Sequence, residues 1–412
     1  MSTTVKAAET SRDRLNFLFL NVGHYLDHLF TLIFATVAAL ALKSEWGLSY
    51  AELLRYATPG FFAFGVFALP AGWLADKWSR EGMMAVFFIG IGLSSLATSL
   101  AVTPLQVGVG LFVIGMFAAI YHPVGLAIVV ERWKNTGMRL AVNGVWGNLG
   151  VASAALLTGY FIDHGGWRIA FVVPGLVSIV VGLAYTWMMR AEIAGRNDRA
   201  NAPPAAKAEP LAPDMRALLL RVSVIVFVTT AISSIIFQST TFALPRIFAE
   251  RLGGLAISAT GLGWLAFLVF ALASIGQLIV GRMLDTAGPR LVFLGGATLQ
   301  CIFFALMPGL SDGPALACAM AFMLAAFGSI PINDYMIGRM ASGAWRARVY
   351  GVRYVVSFTV LAAALPLIAF VYEHYGFDML FRILALCAAV IAAAVALLPG
   401  RLPMPAPAAV KA

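Results

Sequence analysis

Read from end to end, the chain alternates long apolar runs with short polar breaks. Twelve runs reach the roughly 20 mostly apolar residues that a bilayer-crossing helix needs. They lie at about 15–42, 51–75, 82–102, 105–130, 138–162 and 168–190, then at about 217–244, 258–280, 291–309, 314–338, 347–371 and 378–399. None alternates apolar and polar residues as the strands of a membrane barrel do. Helices are predicted, because backbone in lipid has to satisfy its own hydrogen bonds. The stretch Ala191–Arg216 interrupts the rhythm with eight charged residues and a series of prolines, and it reads as a polar linker. The expected organisation is a six-helix bundle over 1–190, a cytoplasmic linker over 191–216, a second six-helix bundle over 217–399 and a disordered, Pro/Ala-rich tail over 400–412.

Composition agrees with that pattern. Hydrophobic residues make up 61% of the 412 and charged residues 11%, against about 45–50% and 25% in soluble proteins. A soluble fold of this size has too much surface to hide so much apolar area. The expected class is an all-α membrane protein of twelve transmembrane helices. With both termini in the cytoplasm, 22 of the 28 Lys and Arg fall on the inner side. That bias sets the orientation in a bacterial-type inner membrane. It also accounts for the net charge of +9 without a nucleic-acid partner. Cys301, Cys318 and Cys387 are scattered and form no CxxC pair, so neither a disulfide framework nor a zinc site is implied. The first run is too long and too polar, with His and Asp inside it, for a cleavable signal.

An internal repeat sharpens the picture. Gly72-Trp-Leu-Ala-Asp76-Lys77-Trp-Ser-Arg80 follows the second run, and Gly281-Arg-Met-Leu-Asp285-Thr-Ala-Gly288-Pro-Arg290 follows the eighth, 209 residues later. Asp163 and Gly166 recur as Glu373 and Gly376 at an offset of 210, and Pro123 recurs as Pro331 at 208. Three landmarks with nearly one offset mean two parallel copies of a six-helix unit, an arrangement found in secondary transporters.

With these residues in view, the chain resembles the major facilitator superfamily. The loop at Gly72–Arg80 is similar to that family's Gly-x-Leu-Ala-Asp-Arg/Lys-x-Gly-Arg signature, with Ser79 in place of the usual Gly and Glu81 where a base is common. The resemblance implies a latch at Gly72, Asp76, Lys77 and Arg80, repeated at Gly281, Asp285, Gly288 and Arg290, that closes the inner side. A narrower resemblance, to the fosmidomycin-resistance branch of drug exporters, rests on His24-Tyr-Leu-Asp27, Tyr121-His122-Pro123 and Gly147-Asn148-Leu-Gly150. That branch commonly carries an acid after its His-Pro pair, where this chain has Val124.

Charged groups inside a bilayer cost at least about 2.5–3.5 kcal/mol at a helix centre, so each needs a reason. His24, Asp27 and His28 share one face of the first run by their i, i+3, i+4 spacing. They point either to proton or substrate binding, with Asp27 as the coupling acid, or to a static polar network. Tyr121 and His122 precede Pro123, and His122 either faces His24 or is a satisfied structural histidine. Asn143 and Asn148 are candidate proton- or substrate-binding residues, set among glycines that let helices pack closely. In the second half Thr230, Ser234, Gln238 and Thr241 form a polar stripe, Asn333 and Asp334 follow Pro331, and Tyr350, Arg353, Tyr354 and Ser357 share a face, with Gln238, Asn333, Arg353 and Tyr354 as the candidate binding residues. An Asp334–Arg353 ion pair is expected, as a gate or a brace, with anion binding by Arg353 as the alternative. Trp146, Trp264 and Tyr25 either wall the cavity or pack elsewhere.

No GxxxxGK[ST] motif occurs, so an ion gradient and not ATP is the expected energy source. The first expectation is a monomer without cofactor or bound metal that exports a small amphiphilic or anionic compound in exchange for protons, by alternating access. Proton-coupled uptake of an organic acid or other nutrient is the alternative. Transport of a divalent transition metal, for which His24, Asp27, His28 and His122 offer nitrogen and oxygen ligands, ranks below both. A membrane enzyme is not expected, because Asp163 and His164 have no nucleophile beside them. A non-transporting receptor is disfavoured by the two retained loop motifs.

Overall fold

The computed structural model describes residues 10–133, 136–195, 213–340 and 343–398, and among these every regular element is a helix. The first half holds α1 (Ser11–Leu40), α2 (Leu42–Trp46), α3 (Tyr50–Lys77), α4 (Arg80–Ser99) and α5 (Pro104–Ala118). A wide π turn at Tyr121–Gly125 then leads into α6 (Leu126–Arg132), followed by α7 (Thr136–Gly165), α8 (Trp167–Met188) and α9 (Arg190–Ala194). The second half holds α10 (Pro213–Thr241), α11 (Leu244–Arg251), α12 (Ala259–Thr286), α13 (Pro289–Leu306), α14 (Asp312–Met340) and α15 (Gly343–Ala396). Among the described residues eleven helical stretches are long and apolar enough to cross a membrane. The last of them, Val355–Ala396, breaks at Gly376, where φ is 72°, so it makes two spans and the total is twelve. Most of the expected linker and the whole tail lie outside the described residues.

The polar breaks between runs set where the helices begin. Thr10 with Asp13, Ser49 with Glu52 and Thr103 with Gln106 form reciprocal capping boxes at α1, α3 and α5. Ser79, which replaces a glycine of the family signature, caps α4 by accepting from the Gly82 N–H at 3.0 Å. Gly288, with φ +80°, makes the turn before Pro289 and so has a backbone reason to be glycine, whereas its counterpart Ser79 is extended at φ −163°. Gly72 and Gly281 do not need to be glycine for packing here. A Cβ at Gly72 would meet Pro123 at an ordinary 3.5 Å, and one at Gly281 would meet nothing within 4 Å.

The halves meet along α7 with α12 and α3 with α15. A Cβ at Gly263 of α12 would fall 2.6 Å from Leu156 Cα of α7, so the backbones touch there. Phe64 of α3 meets Phe358 of α15 edge to face at 4.6 Å. Two polar contacts across the seam lie at the end of the bundle where α1 finishes, called the distal end below. The Asp163 carboxylate accepts from Thr260 N at 2.7 Å, Ala259 N at 3.3 Å and Thr260 Oγ1 at 2.5 Å, capping α12 from the other half. Its repeat partner Glu373 lies 3.5 Å from Arg55. Each copy of one repeated acid thus reaches across to the opposite half.

The two seals differ in strength. Both partners of Arg55–Glu373 are well exposed, and such pairs are worth about 0–1 kcal/mol. Asp163 makes charge-assisted bonds to two helix-terminal N–H groups, which is a stronger contact even when discounted for exposure. Asp163→Ala is therefore expected to raise the reactivity of a cysteine placed in the distal seam about fivefold, the equivalent of roughly 1 kcal/mol, and Arg55→Ala to raise it less. Equal reactivity in both variants and wild type would remove the seal assignment.

Candidate functional site

Asn143 of α7 is fully buried and organises the polar face of α1. Its amide nitrogen donates to Asn21 Oδ1 at 3.0 Å and to Tyr121 Oη at 2.9 Å, and Tyr121 Oη donates to the Leu20 carbonyl at 2.8 Å. His24 Nδ1 donates to the Asn143 carbonyl at 2.8 Å, with Asn143 Oδ1 at 2.9 Å. That fixes the tautomer: with its proton on Nδ1, His24 presents a lone pair at Nε2. His28 Nε2 lies 3.1 Å from it and donates to it. The Tyr121 ring stacks on His24 at 4.8 Å. Room for the imidazole exists only because residue 147 is glycine, since a Cβ there would stand 2.6 Å from His24 Nε2.

Asp27 is 1% exposed and neither of its oxygens is hydrogen-bonded. Its neighbour is His122, whose Nε2 lies 3.4 Å from Oδ2. His122 is delivered by the π turn. Pro123 has no N–H to give the helix, the turn widens, and the adjacent Tyr121 and His122 serve different partners.

Asp27, His28 and His122 form one wall of a central cavity of about 210 Å³ between the halves. The opposite wall carries Thr230, Ser233, Ser234, Gln238 and Thr241 of α10, Asn333 of α14, and Arg353 and Ser357 of α15. Phe61, Phe64, Phe237 and Phe358 line it between these polar groups. Thr230 Oγ1, Ser233 Oγ, Gln238 Nε2 and Asn333 Oδ1 are buried there without hydrogen-bond partners. Buried polar atoms in this condition that face a cavity make it the candidate ligand site.

The structure thus brings together His24, Asp27, His28, Tyr121, His122 and Asn143 on one side and Gln238, Asn333 and Arg353 on the other. Asn148 is elsewhere, bridging the halves by donating to Gln277 Oε1 at 2.9 Å. Trp264 is 57% exposed on the outer surface, and Tyr25 is tied to Ser153 at 2.8 Å. The ring wall is made of phenylalanines, which the sequence reading did not single out. The side chains of Asp285, Asp334 and Tyr354 lie outside the described residues, and so does the expected Asp334–Arg353 pair. In the first loop motif Arg80 bonds Asp76 at 2.8 Å and Glu131 at 2.6 Å, both within the first half. Arg290 donates to the Ala396 carbonyl at 2.8 Å within the second. Neither contact crosses the seam in this state.

Twelve membrane-crossing helices in two repeated halves around a polar cavity define a solute carrier of the secondary-transporter class. The chain belongs to the Major Facilitator Superfamily, whose profile matches residues 22–254 and again 226–411. A niacin transporter of Acinetobacter baylyi is 29% identical over 39% of this chain and 37% of its own length. A puromycin resistance protein of Streptomyces alboniger is 29% identical over 42% of this chain and 36% of its own. The chain is thus aligned with little more than a third of each. Among solved structures, an inward-facing, unoccupied bacterial homologue of the human lysosomal transporter Spinster superposes with a TM-score of 0.67 at 14% identity, over 94% of this chain and 95% of that one. That likeness shows the fold.

Proposed function

We propose that this protein is a proton-coupled carrier of small organic anions with a flat, apolar body, working by alternating access with both termini in the cytoplasm. The observation that carries this reading is the make-up of the central cavity: a buried carboxylate beside an imidazole on one wall, a guanidinium with amides and hydroxyls on the other, and phenyl rings between. An anion held at Arg353 shares that low-dielectric space with Asp27. Like charges in such a space repel by an amount set by their separation, about 4 kcal/mol at about 4 Å and about 2 kcal/mol at about 8 Å for an effective dielectric constant near 20. The anion therefore binds best when Asp27 carries a proton, and by reciprocity the proton binds best with the anion. The two cross together, and an inward proton gradient drives uptake.

Uptake of an organic acid is thus the direction the cavity supports best. The niacin transporter among the relatives is in keeping with it, since niacin is a flat pyridine carboxylate. Export, the first expectation, keeps the support of the shared fosmidomycin-resistance motifs and of the likeness to the puromycin resistance protein. It would suit a cationic solute, which competes with the proton for Asp27 and is exchanged for it.

The test is flux in proteoliposomes under an imposed proton gradient, with labelled nicotinate and benzoate as anions and puromycin and tetraphenylphosphonium as cations. Accumulation of an anion, abolished when the gradient is collapsed, is expected. Proton-driven exchange of a cation with neither anion moving would overturn the anion reading, and no flux of any probe would overturn the choice of substrate class. Arg353→Gln removes a charge-assisted bond worth about 1.5–3 kcal/mol. Its KM for the transported anion is expected to rise about 10- to 150-fold, with a smaller change in maximal rate.

A further inference from the structure

We propose that His24, His28 and His122, with Asp27, form a binding site for one divalent transition-metal ion at the first-half wall of the central cavity. The chain has five histidines, and three of them offer ring nitrogens that all lie within 4.8 Å of one another. Imidazole nitrogen suits zinc, copper, nickel and cobalt, not magnesium or calcium. Around a tetrahedral ion with bonds of about 2.0–2.1 Å, neighbouring ligand atoms stand about 3.3–3.4 Å apart. Two edges of such a tetrahedron are already present: His28 Nε2 to His24 Nε2 at 3.1 Å, and His122 Nε2 to Asp27 Oδ2 at 3.4 Å. The widest imidazole separation closes to that value by at most about 1.5 Å, within reach of side-chain rotation at the cavity-facing His28 and His122.

The surroundings are those a metal site needs. His24 Nδ1 is held by the Asn143 carbonyl at 2.8 Å, which keeps the Nε2 lone pair aimed into the cluster, the usual outer support of a ligating histidine. His28 gives up its N–H···N bond to His24 and offers a lone pair as its hydrogen moves to the other ring nitrogen. Asp27 is not one of the three groups that already stand together, but it adjoins them through His122 at 3.4 Å, and with two oxygens free of hydrogen bonds it turns in to supply the fourth ligand and a negative charge. Phe64 and Phe358 flank His122 at 6.0 and 6.2 Å and give the site a dry side. The cavity itself is the entry path. Three nitrogens and one oxygen in this geometry fit Zn²⁺ first.

The inference does not rest on the anion reading, and its test needs no flux. Full-length protein in detergent, without a histidine tag and stripped with chelator, is titrated with Zn²⁺ by calorimetry and with Co²⁺ by visible absorption. One Zn²⁺ per chain is expected, together with the intense bands of four-coordinate Co²⁺, displaced by Zn²⁺ and not by Mg²⁺. His28→Asn and His122→Asn are each expected to weaken Zn²⁺ binding at least tenfold, while His164→Asn and His374→Asn, outside the cluster, leave it unchanged. Thermal unfolding of each variant without metal identifies any that fail to fold. The proposal is overturned by the absence of saturable Zn²⁺ binding to wild type. It is equally overturned if both folded cluster variants bind as wild type does, or if Co²⁺ binds with the weak spectrum of a six-coordinate surface ion.

Discussion

Asp27→Asn carrier is expected to accumulate no anion above equilibrium under an imposed proton gradient, yet to keep exchanging labelled for unlabelled anion across the membrane. Asparagine has the shape of a protonated aspartate and cannot release the proton. It leaves the cavity able to bind an anion and the halves able to reorient, which is all that exchange requires. It removes the link between proton and solute, so the whole gradient-driven component disappears. Exchange in the variant also loses its dependence on pH, because the repulsion between the bound anion and Asp27 no longer switches on and off. Asp27 is the residue of choice because it is buried at the cavity wall with His122 as its neighbour at 3.4 Å. Gradient-driven accumulation at the wild-type rate would take Asp27 out of the coupling step.

Gly147→Val is expected to destabilise the protein by about 1–3 kcal/mol and to abolish transport, whereas Gly144→Val, one turn earlier on the same helix, is nearly silent. The difference lies in what a side chain meets. At 147 a Cβ lands 2.6 Å from His24 Nε2, and at 144 nothing stands within 4 Å. Overpacking of this kind costs about 1–3 kcal/mol. Displacing the ring also breaks the His24–Asn143 contacts at 2.8 and 2.9 Å, in a region where an unpaired polar group costs more than a bond returns. Thermal unfolding in detergent and flux in proteoliposomes check both variants side by side. Equal behaviour of the two would mean that α1 and α7 slide to accommodate the bulk.

The fold was legible because lipid imposes one rule on every span: about 20 apolar residues whose backbone bonds close within the helix. The same rule made the site only half legible. Polar residues within spans stand out, so His24, Asp27, His28, His122 and the stripe through Thr230, Ser234 and Gln238 could be picked from spacing alone. Phe61, Phe64, Phe237 and Phe358 could not, because a phenyl ring facing the cavity is the same residue type as one facing lipid. Asn143 could be picked as a polar candidate, but its position as the hub beneath His24 and Tyr121 depends on a contact between α1 and α7 more than 100 residues apart. Gly147 read as a packing glycine. What it makes room for is a histidine ring and not a neighbouring backbone. Asp163 was a repeat landmark and a rejected catalytic acid, and its use as a cap for α12 follows from how the halves dock.

The wide turn at Tyr121–Gly125 works as a phase shift along its span. One extra residue in a turn rotates everything beyond it by about 100° relative to a regular helix. The portion up to the turn, which presents Tyr121 to Asn143 and His122 to Asp27, and the portion after it are thereby set independently. Deleting a single residue after His122 would restore a regular helix and turn Tyr121 and His122 together against α6, so that either α6 loses its packing or the pair leaves Asn143 and Asp27. The fourth span therefore cannot be shortened there without turning one of its portions against the other. Its length is tied to the two side chains it has to aim at once.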